Sequence, residues 1–291
     1  IDGLLRTQRC AENGCGERSM YSVTGRLNEL GIPYQLFRSR FPGHPTQLAR
    51  EAVDLGFREV LAVGGDGTLM EVARGLVGSG ATLGMLPAGT GNDFRRTFSL
   101  PAEPLAALER ILRNNRILVD VGRFNGQCFL NQLGTGFDTA MNDRQLRFKR
   151  LGGMASYVLA VLLTIFDYRY PRLRLAVDGG EPHPIVPLLI NVANGQYFGG
   201  GMHIFPEASA QDGLLEVMVV ERLPRWRIPL LFPRLIKGTL TQRKYPFLHT
   251  YRAREVLLEG EAIPLQVDGE LMQGGDRVQI ELAPQRLSIF I

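Results

Sequence analysis

A chain of 291 residues, 45% hydrophobic and 21% charged, suits two domains and is too apolar for a disordered polymer. Its 33 basic and 29 acidic residues give a net charge of +4, which excludes electrostatic DNA wrapping and suits an anionic ligand or surface. Cys10, Cys15 and Cys128 form no closed disulfide framework and no Cys-x-x-Cys metal knuckle, so a reducing compartment without structural zinc is expected.

The first third alternates strand and helix signals. Pro33 to Phe37 is a short strand-like run, and residues 47–55 carry apolar positions at helical spacing until Gly56 stops them. Val60 to Val63 is a continuous apolar run bounded by glycine, as in a strand buried on both faces. A helix over 69–77, a buried strand over 83–86 and a helix over 104–113 follow. This alternation predicts a parallel sheet with right-handed crossovers.

Near Asp120 the pattern changes to short strands separated by Gly, Asp and Asn turns, over 172–177, 185–192, 215–220, 255–258, 265–267 and 278–282. Helical segments at 153–168 and 226–237 interrupt them. The expectation is a β-rich second domain, a sandwich. The most apolar stretch, 154–166, is broken by Ser156 and Thr164 and falls short of the ~20 residues that a spanning helix needs. Residues 1–18 carry no secretory signal, and the expected location is cytoplasmic. Arginines on both sides of 154–166 permit docking on an anionic bilayer, although a solvated basic face explains them equally well.

Gly64-Gly65-Asp66-Gly67-Thr68 lies between a buried strand and a helix. Glycines there let backbone amides approach a phosphate, and the helix N-terminus favours negative charge. Asp66 repels phosphate, so its sensible use is to hold Mg²⁺ beside it. The plain alternative is a strand-to-helix turn with an aspartate cap. Leu86-Pro87-Ala88-Gly89-Thr90-Gly91-Asn92-Asp93-Phe94 ends the next strand, which places both loops on one carboxyl edge of the sheet, where open α/β sheets bind ligands. Thr90 and Asn92 can donate to phosphate or adenine, and Asp93 brings a second carboxylate near Asp66; alternatively Asn92 and Asp93 cap the next helix. Gln266-Val267-Asp268-Gly269-Glu270 reads locally as a hairpin turn. Asn194-Gly195, Gly199-Gly200-Gly201, Pro206 and Asp212-Gly213 read mostly as turns, with Asp212 also able to meet a hard cation.

Taken together and in this order, these strings resemble the diacylglycerol kinase catalytic-domain family, in its bacterial soluble lipid-kinase branch, from about Ser39 onward. The resemblance implies a nucleotide-binding α/β domain over 1–120, rejoined by 285–291, a β-sandwich over 121–284, and a cleft between them. It implies that Ser39 and Thr90 contact ATP and that Gly64, Gly65, Asp66, Gly67, Thr68, Leu69 and Met70 form the phosphate loop. Glu270 corresponds to the acceptor of the lipid hydroxyl proton, with Asp268 beside it. Asp212, with the carbonyls of Ser209 and Leu214, corresponds to a structural Mg²⁺ site. The chain departs from the family at Met70, where Asn is common, and in residues 1–18, where only Asn13 and nearby glycines echo the family's Asn-Pro-x-Ser-Gly loop. The implied activity is ATP- and Mg²⁺-dependent phosphorylation of a lipid alcohol, diacylglycerol by default, at an anionic membrane face and without nucleic acid. Oligomeric state stays open, a homodimer included. The rival readings are a kinase for a soluble acceptor such as NAD and a non-catalytic nucleotide- or lipid-binding regulator.

Overall fold

The computed structural model describes residues 4–6, 15–147 and 153–291. The first part runs β1 (Leu4–Arg6), α1 (Cys15–Glu29), β2 (Leu36–Arg38), α2 (His44–Asp54), β3 (Glu59–Gly64), α3 (Asp66–Leu76), β4 (Thr82–Pro87), α4 (Asp93–Thr97), α5 (Pro104–Ile111) and β5 (Arg116–Val119). The second runs β6 (Gly122–Phe124), β7 (Gln127–Phe129), β8 (Gln132–Gly136), α6 (Phe137–Arg147), α7 (Gly153–Asp167), β9 (Leu173–Val177), β10 (His183–Ile185), β11 (Pro187–Ala193), β12 (Tyr197–Phe198), β13 (Met202–His203) and β14 (Leu215–Glu221). After a 3-10 turn at Arg225–Arg227 come α8 (Ile228–Ile236), β15 (Leu248–Ala253), β16 (Glu255–Glu259), β17 (Pro264–Val267), β18 (Glu270–Gln273), β19 (Arg277–Leu282) and β20 (Leu287–Phe290).

The first sheet has the order β2-β1-β3-β4-β20-β5. Its strands are parallel except β5, which runs antiparallel to β20, so the chain's last strand is stitched into its first domain. Alternate residues of β3 face opposite ways. Val60 and Ala62 pack with α2 and α3, while Leu61 and Val63 pack with Met20, Val23 and Leu27 of α1 and Leu108 of α5. Helices on both faces leave neither face of β3 or β4 wet, which is why these two read as unbroken apolar runs. The helix expected from residue 47 begins at His44, because Gly43 turns the chain at φ 84° and Pro45 fits a first helical turn. Asn13 and its neighbouring glycine lie outside the described residues.

The second domain holds two six-stranded antiparallel sheets, β10-β9-β16-β19-β6-β7 and β15-β14-β11-β8-β17-β18. Ile190 and Val192 of β11 point into the core shared by the two sheets, while Leu189 and Ala193 point the other way, under α6, α7 and α8. This is a sandwich with a third layer of helices on one face, so β11 and β14 are buried on both sides. Among the described residues, no helix is long and apolar enough to cross a membrane. Ala160, Thr164 and Ile165 of α7 are buried, whereas Phe166 stays 74% exposed.

Candidate active site

Parallel pairing of β3 with β4, with Gly64 opposite Pro87, brings both loops to one edge of the sheet. They touch there: Ala88 N donates to Gly64 O at 2.9 Å, and a Cβ on Gly89 would stand 2.5 Å from Gly65 Cα. Two backbones this close leave room only for glycine. The expected loop from Gly64 to Met70 is shorter than anticipated. Only Gly64 and Gly65 lie outside the helix, and Asp66, Gly67, Thr68, Leu69 and Met70 form the first turn of α3, opened by Leu69 N donating to Gly65 O. The arrangement still suits phosphate, because first-turn amides point out of a helix N-terminus and carry its positive dipole end.

Asp66 reaches across to the second loop. Its Oδ1 accepts from the Asp93 amide at 2.8 Å, so it caps α4, and Asn92 before that helix takes φ 51°. Burial and then the negative charge of Asp93 push Asp66 up to about 6. Asp93 is itself raised by burial, although its Oδ2 accepts from Gly200 N at 2.8 Å. That bond ties the first domain to the Gly199–Gly201 loop of the second. The other oxygen, Asp93 Oδ1, is buried with no hydrogen-bond partner; Arg96 Nε stands 3.6 Å away. Two neighbouring carboxylates, Asp66 half-buried and raised by the charge of buried Asp93, and Asp93 with one oxygen left without a hydrogen bond, fit a hard divalent cation. Among the described residues no group of three or more His, Cys, Asp or Glu side chains could enclose a metal, so water and phosphate oxygens would complete its shell.

The third string is a hairpin, as its local pattern predicts, and the hairpin is also what delivers Glu270. Val267 pairs with Glu270 across a two-residue turn in which Asp268 and Gly269 take φ 47° and 91°, the geometry that favours Asp-Gly. Glu270 thereby reaches the first domain: a Cβ on Gly67 would lie 3.3 Å from its Oε1. Asp268 has a different part from the one expected. Its carboxylate is fully engaged, Oδ2 accepting from Leu130 N at 2.8 Å and Oδ1 from Asn131 N and Gln132 N at 2.9 and 2.8 Å. It anchors the strand beneath the hairpin and is not placed to move a proton.

Three further expectations change. Asn92 spends its amide on Gly89 O at 2.6 Å, bracing the loop instead of facing a nucleotide, whereas Thr90 is exposed at the loop tip. Ser39, just after β2, is buried and does not line the cleft cavity. Asp212 does not fit a structural Mg²⁺: its Oδ1 accepts from Leu214 N at 3.0 Å, and its Oδ2 is held by Arg252 Nη2 at 2.5 Å. Arg252 also grips Glu216 at 2.9 Å, so a guanidinium already supplies the positive charge between those carboxylates. Ser209 is half-buried in the same connection.

The loops frame a cavity of about 390 Å³ lined by Asp66, Thr90, Asp93, Asp268 and Gly269, with Leu69 and Met70 adding apolar surface. Met70, where the family's Asn is absent, is 4% exposed and packs in the core. A second, narrow cavity of about 60 Å³ shares Met141, Phe198 and Met202 with the first. Leu231, Leu235 and Leu240 belong to its almost wholly apolar wall, which α8 helps to build. Sequence reasoning missed this chamber. It also missed Asp120, which is 4% exposed and accepts from Gly213 N at 2.8 Å and Arg286 Nε at 2.7 Å, joining the domain crossings. Asn194, fully buried, donates to Asp120 O and Leu130 O beside it.

A model described as the diacylglycerol kinase catalytic domain matches residues 10–124, and one described as the YegS C-terminal NAD kinase beta sandwich-like domain matches 131–291. The chain is 30% identical to a diacylglycerol kinase of Mycobacterium tuberculosis over 91% of its own length and 87% of that protein. It is 34% identical to a Chromohalobacter salexigens protein named "Probable lipid kinase YegS-like", covering 85% of this chain and 81% of that one. A solved Bacillus anthracis structure covers 99% of the chain at 25% identity, with 96% of its own length matched and a TM-score of 0.79. The chain belongs to the diacylglycerol kinase catalytic-domain family, phosphotransferases whose acceptor is an alcohol, and carries the YegS-type sandwich as its second domain.

Proposed function

We propose that the protein phosphorylates the hydroxyl of a lipid alcohol, diacylglycerol by default, using ATP and Mg²⁺, at the cytoplasmic face of a membrane. One observation carries the reading: the polar cleft, with Glu270 against Gly67 at its edge, shares a wall with an apolar chamber. A soluble acceptor such as NAD has no use for that chamber, whereas acyl chains do.

Phosphoryl transfer needs alignment and charge neutralisation more than covalent help. The Gly64-Gly65 turn and the first amides of α3 would hold the phosphates, with Thr90 at the open side. Asp66 and Asp93 would hold Mg²⁺, which supplies charge screening when bound. Glu270 would accept the proton of the lipid hydroxyl as that oxygen bonds to the γ-phosphorus, while the bond from phosphorus to the β,γ-bridging oxygen breaks and ADP leaves. Asp268 keeps the hairpin in register, so that Glu270 is presented at one height above Gly67.

The test is a labelled-ATP screen with Mg²⁺ across diacylglycerol, other lipid alcohols and NAD, run beside Glu270→Gln. A general base is worth ~10²–10⁴-fold, so the variant should lose that much kcat while melting with the wild type. Phosphorylation of NAD but no lipid, or an undiminished variant, would overturn the assignment.

A further inference from the structure

From Arg222 to Arg254 the chain carries nine Lys and Arg and no Asp or Glu, so the rest of the chain is net acidic, with 24 basic residues against 29 acidic. Of these cations, Arg222, Arg225, Arg227, Arg234, Lys237, Arg243 and Lys244 form no ion pair among the described residues. A surface built only for solubility mixes its signs. This one is segregated.

The same segment exposes two large apolar side chains. Trp226 is 65% and Leu230 61% exposed, while Ile228 on the inner side of α8 is 5% exposed. Arg227 lies over the Trp226 ring at 5.0 Å. Beside them an open pocket of about 490 Å³ is lined by Tyr170, Arg222, Leu223, Pro224 and Arg225. Arg222 stands over the Tyr170 ring at 5.4 Å, and Arg225 Nη2 donates to Tyr168 O at 3.2 Å. Both guanidiniums are therefore positioned by protein contacts and keep further N–H donors for an anion.

We propose that the 3-10 turn and α8 form a docking surface for an anionic bilayer, with Arg222 and Arg225 binding a phospholipid headgroup phosphate while Trp226 and Leu230 enter the interface. Aromatic and aliphatic tips beside arginines are the composition of a helix lying in the headgroup region. The location also has a use. Leu231 and Leu235, on the inner side of the same helix, line the apolar chamber, so docking would bring the chamber's wall against the lipid. The inference rests on the lipid-kinase reading for its purpose and not for its test.

That test is co-sedimentation of the full chain with phosphatidylcholine vesicles, with and without about one third phosphatidylglycerol. The wild type should bind the anionic vesicles and lose them as salt rises. Arg222→Gln with Arg225→Gln should bind them on the order of 10- to 30-fold less, since each basic residue near an anionic surface contributes about five-fold. Trp226→Ala with Leu230→Ala changes two exposed side chains and guards against misfolding of the arginine pair; it should weaken binding about 10-fold or more. Equal binding by both variants, equal binding to neutral vesicles, or a wild-type dimer that Trp226→Ala dissociates would overturn the proposal, the last by making this face a contact with a second copy. Vesicle binding without phosphorylation of any lipid refutes the kinase reading alone. Phosphorylation of a dispersed short-chain acceptor without vesicle binding refutes the docking surface alone.

Discussion

Replacing Asp138 by Asn should stabilise the protein at neutral pH and fail to do so in acid. Asp138 lies in the first turn of α6, buried at the wall of the apolar chamber. Its Oδ1 accepts from Thr139 N at 2.8 Å, and its Oδ2 accepts from the Asn191 amide, which in the orientation that satisfies both its ends also donates to Ile190 O, at 2.8 Å in each case. Burial outweighs the bonds from Thr139 and pushes Asp138 up to about 6. An unfolded aspartate titrates near 3.9, so between about pH 4 and pH 6 the folded protein keeps a proton that the unfolded chain has released. Stability therefore falls as pH rises through this window, by about two units or about 3 kcal/mol once neutrality is reached. Asparagine cannot ionise and escapes that cost. It presents a donor to Asn191, however, which must turn and give up its bond to Ile190, a loss of about 1 kcal/mol. The net gain is about 2 kcal/mol at neutral pH, or about 4 °C in Tm for a chain of this size. Below about pH 4 only the lost bond remains, and the variant should be less stable by about 1 kcal/mol. Thermal or urea denaturation of both proteins across this range decides it. An offset that does not change with pH would refute the reasoning.

Gly67→Ala and Gly89→Ala should fail differently. The first places a methyl 3.3 Å from Glu270 Oε1, a contact the side chain can yield to, so turnover should fall by about 10-fold or less with ATP binding kept. The second drives a methyl to 2.5 Å from the Gly65 backbone, so ATP affinity measured by calorimetry should be lost. Asp268→Ala strands the three amides of Leu130, Asn131 and Gln132 in the interior, and a loss of about 3 kcal/mol or more in urea denaturation is expected. Because Arg252 occupies Asp212, adding EDTA without nucleotide should leave Tm unchanged; a fall that Mg²⁺ reverses, and that Asp212→Asn abolishes, would restore the structural metal site.

The first domain was largely legible because its signals are local. Continuous apolar runs bounded by glycine can be little else than strands covered on both faces, and β3 and β4 are that. Helix α1 was not legible: Met20, Val23 and Leu27 give one buried residue per turn, too sparse a stripe among polar neighbours to stand out. In the second domain the sandwich strands were visible, but the alternating faces of β11 were not. Ile190 and Val192 serve one core, Leu189 and Ala193 another, and all are apolar, so periodicity could not reveal the helical layer outside.

For the site, residue type was more legible than role. Asp66 and Asp93 were readable as carboxylates near phosphates and Asp268 as one beside the proton acceptor, yet the structure gives each of them backbone amides to hold. The distinction lies in what is left over. Asp268 has both oxygens committed within one strand neighbourhood, whereas Asp93 keeps a buried oxygen without a hydrogen bond, facing only Arg96 at 3.6 Å, and Asp66 is pushed up by burial and then by its neighbour's charge. A carboxylate that only braced a loop would gain from having every lone pair met. Leaving one unmet beside a second carboxylate is costly in the empty cleft and becomes favourable when a cation enters. The same bonds connect domains: Asp66 caps the helix that carries Asp93, Asp93 holds the Gly199–Gly201 loop, and that loop lines the cleft. Relief of the charge on Asp66 and Asp93 would therefore also set how firmly the two halves of the cleft are joined, at a distance in sequence that no local pattern encodes.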